Sequence, residues 1–288
     1  MFWEIVRDVA KDALWDSIKM LPFLFAAYLL IEYVEHRHGG VIEKLLAGGG
    51  RFGFAPGAVL GLVPQCGFSA MAANLYASKV ITLGTLMAVF IATSDEAVPL
   101  LIANPEQWKA MLFILGIKLA VALLAGFCID FLLKGVLSES IRGGYTGRSE
   151  EVDCHEHEEG DGIFVAAAKH TVHIFLFILA FNALLGGVVA WVGPDAIGDF
   201  LARSGFWQPA LAGLIGLIPN CVSSVLITQL FAAGQLSFGG VIAGLCTGAG
   251  VGLAVLLRAN RSVKQNLFIV ALLYGIGVAA GIVCGFFA

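Results

Sequence analysis

Long apolar stretches recur along the chain near residues 20–34, 54–78, 80–103, 110–133, 172–192, 206–233, 236–257 and 266–288, separated by short polar breaks. Several reach the roughly 20 residues that a helix needs to cross a bilayer. The runs are continuous and do not alternate apolar with polar positions, which excludes a membrane barrel. The pattern predicts an all-α polytopic membrane protein. Residues 1–23 follow a different pattern, with Phe2, Val6, Val9 and Ala13 on one helical face and acids and bases on the other. They predict an interfacial amphipathic helix leading into the first span, and they lack the cationic start and apolar centre of a signal peptide.

The apolar runs are interrupted twice in the same way. GLVPQC at 61–66 returns as GLIPNC at 216–221, an offset of 155 residues (216 less 61) that holds without a gap. It pairs Leu46 with Leu201, Gly50 with Gly205, Pro64 with Pro219, Ser69 with Ser224, Gly84 with Gly239, and Ala125-Gly126 with Ala280-Gly281. A fixed internal period marks a repeat architecture. The expected organisation is a first membrane repeat over 1–136, a polar linker over 137–163 and a second membrane repeat over 164–288.

Charge gives the relative orientation of the halves. The loop after the first span carries Arg37, Lys44 and Arg51, and its counterpart in half two holds Arg203. Before the last span the bias reverses, with Lys109 in half one against Arg258, Arg261 and Lys264 in half two. If basic loops are cytoplasmic, equivalent loops lie on opposite sides, so the repeats are expected to be inverted. That parity requires residues 54–78 to enter and leave on one face as a re-entrant or broken hairpin, followed by one full span over 80–103. Each half then supplies about three spans plus two half-helices, about ten membrane segments in all. The linker is expected in the cytoplasm and the termini outside, in a bacterial cytoplasmic membrane.

Pro removes an N–H and disfavours helix in the residue before it, so each repeated motif is a natural turn in a hydrophobic segment. Non-helical backbone at membrane depth is tolerated where protein buries it or it lines a cavity, and paired broken segments in inverted repeats point to a transporter's substrate site. The tips offer Gln65, Cys66 and Ser69 from one half and Asn220, Cys221, Ser223 and Ser224 from the other. Ser69 and Ser224 are expected to cap the second helix of each hairpin. In IATSDEAVPLL, Asp95 and Glu96 fall inside a span, where ionisable groups are costly and usually functional. The equivalent stretch LCTGAGVGL has no acid and adds Cys246, Thr247 and Gly-rich backbone. The expected site is asymmetric, with Asp95, Glu96, Cys66 and Cys221 as metal ligands and Thr247 beside them. Lys118, near the middle of its span, is a candidate counter-ion or coupling residue beside Asp95 and Glu96. Weaker metal candidates are His170 and His173 in KHTVH, and Cys154, His155 and His157 in the acidic linker, where thiol, imidazole and carboxylate suit transition ions. A Pro-kinked packing motif and a merely solvated acidic linker are the structural alternatives.

Composition agrees with this picture. Of the 288 residues, 59% are hydrophobic and 13% charged, with mean hydropathy +0.89, far from a soluble domain. Net charge is −4, which gives no footprint for nucleic acid. The six cysteines are scattered and form no disulfide framework, so free thiols are expected. No cofactor is implied, and no Walker motif is present, so coupling to protons or membrane potential is expected. Self-association of the chain is open.

The stretches GLVPQCGFSA and ATSDEAVPLL resemble the bacterial ten-segment heavy-metal exporters, labelled variously as arsenic efflux proteins (ArsP-like) or manganese transporters. The resemblance covers nearly the whole chain and implies metal or metalloid transport without enzymatic chemistry; it supplies no set of binding residues. The function expected is secondary active export by alternating access, with Mn(II) first and an arsenite-type species next. Oxygen ligands would serve Mn(II), whereas Cys66 and Cys221 would serve trivalent arsenic. Two other readings are an anion exporter using opposed half-helix N-termini and a polyprenyl-phosphate flippase or phosphatase. The latter calls for an Arg in the core, and none falls inside a span.

Overall fold

A computed structural model describes residues 52–63, 66–93, 108–133, 137, 139–143, 199–201 and 203–287, apart from residue 202, and single positions between 11 and 29 and between 164 and 183. Every regular element among them is helical. In half one these are α1 (Phe54–Gly61), α2 (Cys66–Ala77), α3 (Leu83–Ala92) and α4 (Trp108–Phe127), the last running on through a π-helical turn, Cys128–Leu132. A short helix, α5 (Glu139–Arg142), follows. Half two contains α6 (Gln208–Gly216), α7 (Cys221–Ala232), α8 (Phe238–Thr247), α9 (Val251–Ala259) and α10 (Val263–Phe287).

The 155-residue offset extends to the helix bounds. It carries α2 onto α7 and α3 onto α8 at both ends, the end of α1 onto the end of α6, and the start of α4 onto the start of α10. Packing follows the same rule. In half one α3 lies against α1, α2 and α4; in half two α8 lies against α6, α7 and α10. Between the halves α3 meets α8, α4 meets α8 as α10 meets α3, and α2 lies along α9. Reciprocal pairing of this kind is what a two-fold relation produces.

Both proline motifs break the chain where expected. Helix α1 ends at Gly61 and α2 begins at Cys66, leaving 62–65 between them; α6 ends at Gly216 and α7 begins at Cys221, leaving 217–220. At 1.5 Å per residue these helices are only about 12 to 18 Å long, short of a hydrocarbon core of about 30 Å. The three helical stretches long and apolar enough to cross a membrane among the described residues are Trp108–Leu132, Phe238–Ala259 and Val263–Phe286.

Two details differ from the sequence expectation. The run 80–103 does not continue as one helix: α3 starts after its cap, Thr82, and stops at Thr93, whose backbone turns to φ −50°, ψ 126°. The N–H and the hydroxyl of Thr93 both donate back to Val89 O, at 2.9 and 2.7 Å, as the last bonds of the helix. Nor do the serines cap the hairpin helices. Asn220 caps α7, its Oδ1 accepting from Val222 N at 3.3 Å, while Ser69 and Ser224 stand at the fourth residue of α2 and α7. A carboxamide one residue before the helix reaches the free N–H groups that a serine one turn inside cannot.

Burial sorts the helices into centre and periphery. All ten residues of α3 are buried, as are Gly239–Thr247 of α8, whereas α4 and α10 expose Leu112, Phe113, Leu124, Val263, Leu267 and Phe286. Lipid is as apolar as leucine, so these exposed residues suit a bilayer-facing rim, and close approach of small residues holds the centre together. The paired glycines are at that approach. A methyl on Gly281 would sit 2.5 Å from Gly239 O, and one on Gly126 would sit 3.1 Å from Gly84 O.

Candidate functional site

The span Phe238–Ala259 is almost wholly buried and is not one helix. It divides at TGAG into α8 and α9, with Gly248 at φ −75°, ψ 82° and Gly250 at φ 53°, ψ −143°, a conformation open to glycine and strained for other residues. Ala249 N turns back to Thr247 O at 3.0 Å, so it does not bond Leu245 O as a continuous helix would require. The break leaves two helix ends within one buried apolar stretch.

Residues of both halves gather at this break. Helix α2 packs along α9, so tightly that a methyl on Gly252 would lie 2.7 Å from Ser69 Cβ and from Ser69 O. Ser69 is fully buried there. From half two, Ser224 Oγ stands beside Gly248, 3.5 Å from where a methyl would project. Helix α4 contributes Lys118, also fully buried, whose Nζ donates to Leu245 O at 2.8 Å and to Thr93 O. The ammonium thus touches the C-terminal end of α8 and that of α3, one from each half. Helix C-termini carry partial negative charge, so a cation fits there.

Other candidates face elsewhere. Thr247 is fully buried, with its hydroxyl donating toward Gly213 O, Ala243 O and Gly244 O at 2.9 to 3.1 Å, so it turns to α6 and its own helix. Asn220 is buried with its side chain in the α7 cap, and Ser223 Oγ donates to Asn220 O at 2.8 Å. Cys66 and Cys221 each open a helix, but their side chains lie outside the described residues. So do Gln65, Asp95, Glu96, Cys154, His155, His157, His170 and His173. Among the described residues no three His, Cys, Asp or Glu side chains form a metal-binding group. Among the described residues Cys128, Cys246 and Cys284 are free thiols.

One buried carboxylate escaped the sequence reading. Asp130, in the π-helical turn, accepts from Thr82 Oγ1 at 2.7 Å and from Gly84 N at 3.1 Å, and so holds the N-terminal end of α3. Half two holds the same end of α8 with Gln208, whose Oε1 accepts from Ser237 N at 2.9 Å. An acid within the apolar run 110–133 was the available signal for Asp130; its role depends on which helix end packs beside it.

No curated protein and no solved structure matches the chain. Residues 2–197 of the 288 match the model of a family described as "Putative, 10TM heavy-metal exporter", and the chain, with helices long and apolar enough to cross a membrane, belongs to that family of multi-pass membrane proteins.

Proposed function

We propose that the chain exports a heavy-metal ion by secondary active, alternating-access transport, with two inverted-topology repeats rocking about a site near the membrane midplane. The observation that carries this reading is the break between α8 and α9, inside a buried span, against which the opposite half lays Ser69 and Lys118. Irregular backbone at that depth is expected where a cavity or substrate uses it, and half-helix ends are the usual ion partners in such folds.

Asp95 and Glu96 follow Thr93, the end of α3 that Lys118 touches, after one intervening residue, Ser94. In this reading they bind the cation or carry the coupling proton, with Lys118 as counter-ion in the unloaded protein. Gln65, Cys66 and Cys221, at the two interrupted motifs, complete the ligand set. Carboxylate and carbonyl oxygens suit Mn(II), which is the preferred substrate; Cys66 and Cys221 would suit trivalent arsenic. Anion export is a second reading, favoured by Lys118 and by α9, whose first residue follows Gly250 with no side chain capping it.

Flux into proteoliposomes under an imposed pH gradient tests the assignment, with Mn(II) and arsenite offered separately. Mn(II) flux is expected in the wild type, lost in Asp95→Asn/Glu96→Gln and kept in Cys66→Ser/Cys221→Ser. Arsenite flux that depends on the cysteines would instead assign the thiol chemistry, and absence of both fluxes would refute metal export.

A further inference from the structure

Lys118 sits where a full positive charge is hardest to keep. It is fully buried near the middle of a span, and an ammonium taken out of water costs several kcal/mol unless its surroundings replace the lost hydration. Two of its partners are backbone oxygens, Leu245 O and Thr93 O, one from each half. Both belong to helix C-terminal ends that the chain has interrupted. Leu245 O is available because Ala249 N bonds Thr247 O in its place, and Thr93 O because the backbone leaves the helix at that residue.

The charges match. Each helix C-terminus is equivalent to about half a negative charge, so two converging ends offset about one unit of positive charge. Carbonyl oxygens at interrupted helix ends are also the ligands that other membrane transporters offer to alkali cations. The repeat carries this cation once: 155 residues beyond Lys118 the equivalent position on α10 is Leu273, which is also fully buried.

We propose that the converging carbonyl ends of α3 and α8 form a monovalent-cation site, which the chain fills with the tethered ammonium of Lys118. The wild-type protein then needs neither Na⁺ nor K⁺ to hold its two halves together. Removing the ammonium while keeping the apolar stem leaves a vacancy that a free alkali cation fills. A lysine acting only as a hydrogen-bonding pin would leave no such vacancy. The proposal shares with the transport reading Lys118 and the break between α8 and α9.

Thermal unfolding of the full chain in detergent, measured in choline, sodium and potassium chloride, tests it. The wild type is expected to unfold at one temperature in all three salts. Lys118→Met is expected to unfold about 5 °C lower in choline and to recover most of that loss in sodium or potassium. Equal loss in all three salts, or wild-type stability in choline, overturns the proposal. If Lys118→Met does not accumulate in the membrane, the swap Lys118→Leu/Leu273→Lys decides. The two-fold relation returns an ammonium to the same pair of helix ends, so folded swap protein supports the site and its absence overturns it. The readout is stability, so a failure of metal flux leaves this result standing, and a failure here leaves the flux result standing.

Discussion

Asp130 and Gln208 do the same work with different chemistry. Each holds the first turn of a central helix, α3 or α8, by accepting from a backbone N–H that the helix itself cannot satisfy. Asp130 is acceptor-only when ionised and takes two donors, Thr82 Oγ1 and Gly84 N. In Asp130→Asn one of those donors meets an NH₂ group, and the expected loss is about 1–3 kcal/mol of stability, read as a lower unfolding temperature of the detergent-solubilised chain. Thr82→Val, which removes one donor and leaves the carboxylate with Gly84 N, should cost less. Unchanged stability in Asp130→Asn would remove its assigned role. These pairings were not legible in the sequence, because an acid in an apolar run signals importance without naming its partner. Lys118 is the same case: its depth in the span was readable, and its carbonyl partners on α3 and α8 were not.

At the scale of elements, the sequence spoke most clearly through its breakers. Pro64 and Pro219 marked both interruptions of the repeated motif, whereas the break between α8 and α9 was not expected, since LCTGAGVGL was read only as Gly-rich backbone within an apolar run. Thr93 gave weaker notice, since β-branched residues occur inside membrane helices as well as at their ends, and the helix ends there as its backbone turns to an extended ψ. Caps were legible only by residue type. Asn220 outcompetes Ser224 because it stands before the first turn, a matter of one-residue register. The interruption itself rests on Gly250, whose φ of 53° with ψ of −143° excludes comfortable occupation by a side chain. Gly250→Ala is expected to cost about 1–3 kcal/mol in stability and to depress flux. Gly275→Ala is the control: an added methyl there meets nothing within 4 Å, and alanine favours the helix, so stability should hold or rise slightly. Equal behaviour of the two variants would mean that the break is not held by backbone geometry.

For the whole molecule, the 155-residue offset was readable from six or so matched residues, and it reappears as matched helix bounds and reciprocal packing. Which half docks against which element was not readable, since helix–helix contact depends on surfaces that only folding brings together; the seat of Ser69 against Gly252 is the example. The inverted orientation proposed from Lys and Arg positions has a direct test. In a cysteine-free background, Phe52→Cys and Lys79→Cys should react with an impermeant reagent from the cytoplasmic side, and Trp207→Cys and Ala233→Cys from the opposite side. Labelling of Phe52→Cys and Trp207→Cys from one face would make the repeats parallel.

The presence of Lys118 in one half and Leu273 in the other also bears on ancestry. A protein assembled from two identical copies of the first half would bury two ammonium groups in a single core, each repelling the other where no water can screen them. Fusion of the copies into one chain allows the second lysine to be replaced by leucine while the first is kept. From that exchange onward neither half can serve as its own partner, and each requires the other.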